Sequence, residues 1–265
     1  MSQHDHEELT PTPGERFRTI LKNHPEARQA TIYGLLFTVF FVLIGLYLYP
    51  KFMPNVMSDN MEKGKNVIVW FTVLSAPIAG VVLGITAVAL RNRHRGNTPP
   101  EDGPAIHGHG PIVGTWTVVS ALFCTLAIVW GLVEMNVSSD NAKENAPSAL
   151  VVEVTGSQWL WTYNYPEFGI ETHELNLPIE RPVIFKVRSL DVNHSFWPVQ
   201  LGVKVDANAG VTTQTRTTPE RLGHLDIRCA ELCGLYHAYM GNNGNVLSLT
   251  DFNNWVTAEG GQVSA

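Results

Sequence analysis

Three stretches ahead of residue 135 contain no charged side chain: 31–49, 67–90 and 112–133. Each is close to the ~20 residues that a helix needs to cross the hydrocarbon layer of a membrane. A backbone in lipid must satisfy its own hydrogen bonds, so runs of this length read as helices. Buried helices of soluble proteins are usually shorter and more interrupted. The composition agrees, with only 16% charged residues against roughly 25% in soluble domains. A formal net charge of -6 argues against a nucleic-acid partner.

The flanks suggest an orientation. Arg16, Arg18, Lys22 and Arg28 precede the first run, and Arg91, Arg93 and Arg95 follow the second. Between the first two runs, Lys51, Lys63 and Lys65 are offset by Asp59 and Glu62. Positive residues favour the cytoplasmic side. Residues 1–30 therefore read as a cytoplasmic segment, 31–133 as a membrane domain of three helices, and everything after Glu134 as external. The first run could also be a signal sequence. Its lead-in is long and no small-residue cleavage site follows, which favours a retained anchor. Pro99 to Pro111 reads as a loop. His107 and His109 in it read as solvated, with a proton-collecting or metal role as the alternative. Cys124, inside the third run, reads as a buried, inert thiol.

The second half changes character. Residues 134–148 are polar and read as a linker. Short β-rich runs then alternate with turn residues: Leu150–Val154, Trp159–Tyr165, Pro182–Arg188, Ser195–Val199, Val211–Thr217, Leu222–Arg228 and Val246–Leu249. This spacing predicts an antiparallel sandwich or barrel over 149–265, with a short helix over Asp251–Val256. Trp159, Trp161, Tyr163 and Tyr165 share one face of an ideal strand, which by itself means aromatic core packing.

The densest chemistry lies in Cys229-Ala-Glu231-Leu-Cys233-Gly-Leu-Tyr-His237-Ala-Tyr-Met240. In an external domain, a Cys229–Cys233 disulfide is the simplest reading of the thiols. A thioether and an imidazole beside them point instead to copper, because structural zinc rarely uses Met. A mononuclear blue site uses one Cys, so two cysteines suggest a copper pair. Such a pair needs a second imidazole. His173, His194 and His224 are the external candidates. Strand alternation puts His224 on the face opposite Leu225, Ile227 and Cys229. His194, opening a β run, is the better choice.

These residues resemble the copper A loop of cytochrome c oxidase subunit II. Asp191–Ser195 followed by Leu201-Gly-Val-Lys-Val-Asp206-Ala resembles that family's first-histidine strand, and Gln158-Trp159-Leu-Trp161-Thr-Tyr163-Asn-Tyr165 its aromatic stretch. The last two apolar runs resemble its transmembrane hairpin. The resemblance covers about 67–256. It implies transmembrane helices followed by a cupredoxin-like Greek-key barrel or sandwich. It also implies that Cys229 and Cys233 bridge two coppers. His194 and Met240 would complete one copper, and His237 with the carbonyl of Glu231 the other. The Glu231 side chain would reach a magnesium ion shared with the catalytic subunit, subunit I. Trp159 would accept electrons from cytochrome c, and Asp191 and Asp206 could belong to an acidic docking face. The resemblance places haem only in partner subunits, and with no Cys-x-x-Cys-His attachment motif present, cytochrome c would come as another chain.

Some positions depart from the family pattern. Asn164 stands where an acid is common, Arg228 where an uncharged residue is common, Val113 near a frequent glutamate, and Tyr236 in place of a common asparagine. The first apolar run is also additional. Two other functions compete: the copper A subunit of a related nitric oxide reductase, and a membrane-anchored copper-delivery protein. Quinol-oxidising relatives typically lack the copper ligands, all of which are present here.

Overall fold

The computed structural model describes residues 12–93, 108–144 and 149–263. The first eleven residues, the loop 94–107 with His94 and His107, and residues 145–148 of the expected linker lie outside them. The chain divides into two compact units, Met1–Met53 with Lys65–Gly103, and Pro54–Gly64 with Pro104–Ala265.

In the first unit, α1 (Pro13–Asn23) ends where Pro25 opens α2 (Pro25–Leu43). Proline suits a first helical position, where no N–H is needed. A π-helical turn, Ile44–Leu48, leads into α3 (Tyr49–Phe52). It falls just ahead of Pro50, whose missing N–H leaves an ordinary α-ladder one bond short. The next helix is α4 (Asp59–Arg91). It packs on α2 through Gly34, Gly80 and Gly84, where an added Cβ on Gly80 or Gly84 would strike the facing backbone. Small residues allow this approach, which dispersion then stabilises. Thr38 Oγ1 donates to the Gly34 carbonyl at 2.8 Å, and Arg91 Nη1 to Tyr33 Oη at 2.9 Å.

The second unit contains α5 (Gly110–Glu144), ten strands and α6 (Leu249–Ala258). By length and composition, Pro25–Phe52, Asp59–Arg91 and Gly110–Val133 are each able to cross a membrane. Helix α5 continues past Val133 into residues that read as a linker, because no Gly or Pro interrupts 134–144.

The strands are β1 (Leu150–Ser157), β2 (Leu160–Tyr165), β3 (Ile170–Thr172), β4 (Leu175–Pro178) and β5 (Val183–Ser189). Then come β6 (His194–Pro198), β7 (Val205–Ala207), β8 (Thr213–Thr217), β9 (Gly223–Cys229) and β10 (Gly241–Leu247). They form two sheets, ordered β3-β2-β1-β5-β8 and β4-β10-β9-β6-β7. Most pairs are antiparallel, but β1–β5 and β4–β10 are parallel, so the sandwich is mixed and not purely antiparallel. Along β1, Leu150, Val152 and Val154 point inward and alternate with partly exposed neighbours, as a period of two requires. Trp161, Tyr163, Tyr165, Phe185, Phe196, Leu225 and Ile227 complete the core, and Phe252 and Val256 of α6 join it. Each fully buried large apolar side chain contributes about 1.5–3 kcal/mol. The chain thus combines apolar helices with a cupredoxin-like β-sandwich.

The segment before α4 docks on this sandwich. Met57 is buried in its core. Ser58 Oγ donates to the Leu201 carbonyl at 2.7 Å, and Asn60 Nδ2 to the Arg216 carbonyl at 3.1 Å.

Candidate metal centre

Two strands and one loop build the centre. Strand β6 begins at His194, β9 ends at Cys229, and the loop between β9 and β10 carries Glu231, Cys233, His237 and Met240. Strands β6 and β9 are paired, with Phe196 opposite Cys229. The loop is closed by the Cys229 N–H donating to the Met240 carbonyl at 3.0 Å and the Ala230 N–H to the Ser195 carbonyl at 2.9 Å. A short 3-10 turn, His237–Tyr239, brings the last two donors back toward the cysteines.

The side chains converge. Cys229 Sγ lies 3.8 Å from Cys233 Sγ, 3.9 Å from His194 Nδ1 and 3.2 Å from the Glu231 carbonyl. Cys233 Sγ lies 3.5 Å from His237 Nδ1 and 3.6 Å from Met240 Sδ. His194, Cys229 and Cys233 offer ligand atoms within 4.8 Å of one another. The thiols are free, and their separation far exceeds the ~2.05 Å of a disulfide. Two sulfurs at the centre, with an imidazole on each side, a thioether and a carbonyl, form a donor set suited to a pair of soft metal ions.

Protonation is arranged to match. His194 is fully buried, and its Nε2 lies 2.8 Å from Asp191 Oδ1. A carboxylate can only accept, so Nε2 carries the proton and the Nδ1 lone pair faces the sulfurs. Burial pushes the Asp191 carboxyl up, but hydrogen bonds from His194, the Gln158 N–H and the Val192 N–H outweigh it and hold it below the usual carboxylate range. Burial, reinforced by Cys229 and Asp191, pushes the Cys233 thiol up to about 11 in the metal-free chain. Metal binding must therefore displace a thiol proton. Gly156 of β1 leaves room for the ring, because a Cβ there would come within 3.2 Å of His194 Cδ2 and 3.0 Å of Trp161 Cζ3.

The structure assigns separate places to the aromatic stretch. Trp161, Tyr163 and Tyr165 are core residues, as strand packing predicts, and the Trp161 ring meets His194 edge-on at 5.9 Å. Trp159 is only partly buried and meets Tyr236 edge-on at 4.7 Å, beside the metal loop. His224 points outward and is exposed. Asp206 is exposed and accepts from Ser195 Oγ at 2.9 Å. His109 Nδ1 accepts from the Ile112 N–H at 3.4 Å, at the start of α5. Sequence reasoning missed Gln158, whose side chain donates to the Cys233 carbonyl at 2.7 Å. It also did not give Asp191 its contact with His194, although the Asp-x-x-His spacing was a signal for it.

The fold and the site together define a chain of apolar helices able to cross a membrane and a cupredoxin-like domain with a candidate metal site of two thiols flanked by histidines. The family description "Cytochrome C oxidase subunit II, periplasmic domain" matches residues 170–243. The chain is 27% identical over 249 residues to cytochrome c oxidase subunit 2 of Synechocystis, covering 78% of this chain and 75% of that protein. It is 34% identical over 188 residues to quinol oxidase subunit 2 of Bacillus subtilis, covering 68% of this chain and 57% of that protein, a little over half its length. Among solved structures, the periplasmic domain of cytochrome oxidase subunit II (CoxB) of Bradyrhizobium japonicum is 28% identical with a TM-score of 0.42, covering 44% of this chain and 96% of that domain. Residues 170–243 match the cytochrome c oxidase subunit II family, and the chain is similar to the second subunits of cytochrome c and quinol oxidases.

Proposed function

We propose that this chain accepts electrons from cytochrome c at a dinuclear copper A centre and passes them to a haem–copper catalytic subunit that reduces oxygen to water with proton translocation. The convergence of both thiols, both imidazoles, the Met240 thioether and the Glu231 carbonyl carries this reading. Cys229 and Cys233 would bridge the coppers, His194 and Met240 would complete one, and His237 and the Glu231 carbonyl the other. The copper pair supplies a reversible one-electron store. The protein's part is to hold the donors still, because a site that changes little between redox states exchanges electrons with little reorganisation. Attachment to β6 and β9 supports that rigidity.

Trp159, beside the loop and partly exposed, is the proposed point of electron acceptance. The Glu231 side chain is exposed and would reach a magnesium ion shared with the catalytic subunit. Leu232, Leu235 and Tyr239 project apolar surface from the metal loop, as interaction sites do. Asp191 and Asp206 would contribute charge toward a basic donor. The membrane arrangement we propose has three spans, a cytoplasmic N-terminus and an external β domain.

Copper quantification with low-temperature electron paramagnetic resonance on the purified full chain tests this. One unpaired electron shared by two copper nuclei is expected. A single copper, zinc or a disulfide would overturn the reading. The likeness to a quinol oxidase subunit favours a second reading, in which the electron donor is a quinol. The complete donor set favours copper, and oxidation of cytochrome c against quinol by the assembled complex separates the two. Oxygen against nitric oxide consumption by that complex separates an oxidase from a nitric oxide reductase. Copper delivery needs accessible ligands, whereas His194, Cys233 and Met240 are buried.

A further inference from the structure

Gln158 connects three parts of the site through two hydrogen bonds. Its backbone N–H donates to Asp191 Oδ2 at 2.7 Å, and its side-chain Nε2 donates to the Cys233 carbonyl at 2.7 Å. Asp191 uses its other oxygen to hold His194 Nε2 at 2.8 Å. Asp191 is itself fixed in a turn, accepting from the Val192 N–H at 2.7 Å and donating its own N–H to Ser189 Oγ at 3.1 Å.

The metal loop is shaped to admit this contact. Gly234 has φ +123, a region that side chains rarely adopt. A Cβ there would lie 2.8 Å from Gln158 Nε2 and 3.4 Å from Trp159 Cζ2. The residue after Cys233 must therefore be glycine both for its backbone and for the approach of Gln158. Trp159 follows Gln158 directly, and its ring rests against Tyr236, next to His237. The turn bearing Trp159, the turn bearing Asp191 and the loop bearing the cysteines are thus one hydrogen-bonded unit.

We propose that Gln158 and Asp191 are positioning residues: Gln158 locks the Trp159 turn to the metal loop, and Asp191 locks the same turn to the His194 imidazole. The inference rests on the electron-accepting reading above. Groups that orient metal ligands from behind typically change affinity or activity about 10–100-fold when altered. Gln158 differs from such groups in facing a backbone carbonyl instead of a ligand side chain. Its loss should act on the Trp159 geometry more than on metal content.

The test uses the full chain within the assembled oxidase. Gln158→Leu is expected to keep its copper pair but to take electrons from reduced cytochrome c about 10-fold more slowly, a larger loss than with a small-molecule reductant. Asp191→Asn is expected to change the His194 nitrogen hyperfine coupling and the reduction potential. In the metal-free full chain, Gln158→Leu should speed hydrogen exchange in the 231–237 loop. Absence of copper from the unaltered protein would sink the electron-accepting reading. Wild-type exchange in that loop, an equal loss with both reductants, or an unchanged nitrogen coupling in Asp191→Asn would overturn the clamp itself.

Discussion

Met57 donates its backbone N–H to the carbonyl of Gln200 at 3.1 Å, which ties the segment ahead of α4 to the β-sandwich. Its own carbonyl accepts from the Glu220 N–H at 2.8 Å. The side chain is buried in the sandwich core. Met57→Ala is expected to destabilise the β domain by about 2–5 kcal/mol, the usual cost of truncating a buried Met. Ser58→Ala, which removes the hydroxyl bonded to Leu201, should cost about 1 kcal/mol. Denaturant unfolding of the detergent-solubilised chain measures both, and an unchanged midpoint in Met57→Ala would mean that the segment adds nothing.

Cys229→Ser should abolish the copper pair, because one bridging thiolate cannot hold both metals in this donor set. The hydroxyl is a hard, weakly acidic substitute for a soft thiolate. Copper content and the electron paramagnetic resonance spectrum report the result. Retention of both would remove Cys229 from the ligands.

Trp159→Ala should leave copper content intact and slow reduction by cytochrome c. The ring packs at the surface of the metal loop against Tyr236 and supplies no ligand atom. Stopped-flow reduction with cytochrome c is the measurement, and an unaltered rate would exclude Trp159 as the accepting group.

Two buried tyrosines should differ. Tyr165 Oη donates to the Asn176 carbonyl at 2.9 Å and accepts its N–H at 3.1 Å. The Tyr163 hydroxyl is buried without a partner among the described residues. Tyr165→Phe should cost about 1–3 kcal/mol, whereas Tyr163→Phe should be neutral or stabilising, since it removes an unsatisfied group. Burial raises the pKa of both phenols above the ordinary tyrosine value, opposed at Tyr165 by its bond with Asn176. A raised folded-state value means that the fold keeps the proton more tightly than the unfolded chain. The associated stability is complete below pH ~10 and falls as pH rises beyond it. Unfolding followed by tyrosinate absorbance should show that loss, and a flat profile above pH ~10 would contradict it.

Gly80→Leu should weaken the pairing of α2 and α4, because even a Cβ at Gly80 would strike Thr38 and Gly34. Gly114→Leu in α5 is the control, since a Cβ there meets nothing within 4 Å. Thermal unfolding in detergent should separate the two variants, and equal behaviour would mean that the glycine contact does not hold the helices.

Local signals carried much of this protein. Uncharged runs of helical length made the long apolar helices legible, and period-two alternation placed Leu225, Ile227 and Cys229 inward with His224 outward. The chemical softness of Cys229, Cys233, His237 and Met240 pointed to copper before any fold was known. Short strands were not legible: β3, β4 and β7 have only three or four residues each, too few to establish a period. Strand β10 begins at Gly241 in a Gly/Asn-rich stretch that lacks β propensity. Its pairing with β9 overrides that preference, as tertiary context commonly does.

The sequence by itself therefore determined the kinds of segment and the types of donor in the candidate site, since both follow from residue type and near-neighbour spacing. Only the tertiary structure decided what supports the centre. Gln158 reaches Cys233 across 75 positions of chain, Ser58 reaches Leu201 across 143, and His194 meets Cys229 across 35. Such contacts depend on which strands share a sheet and how the sheets face each other, and no local periodicity encodes that.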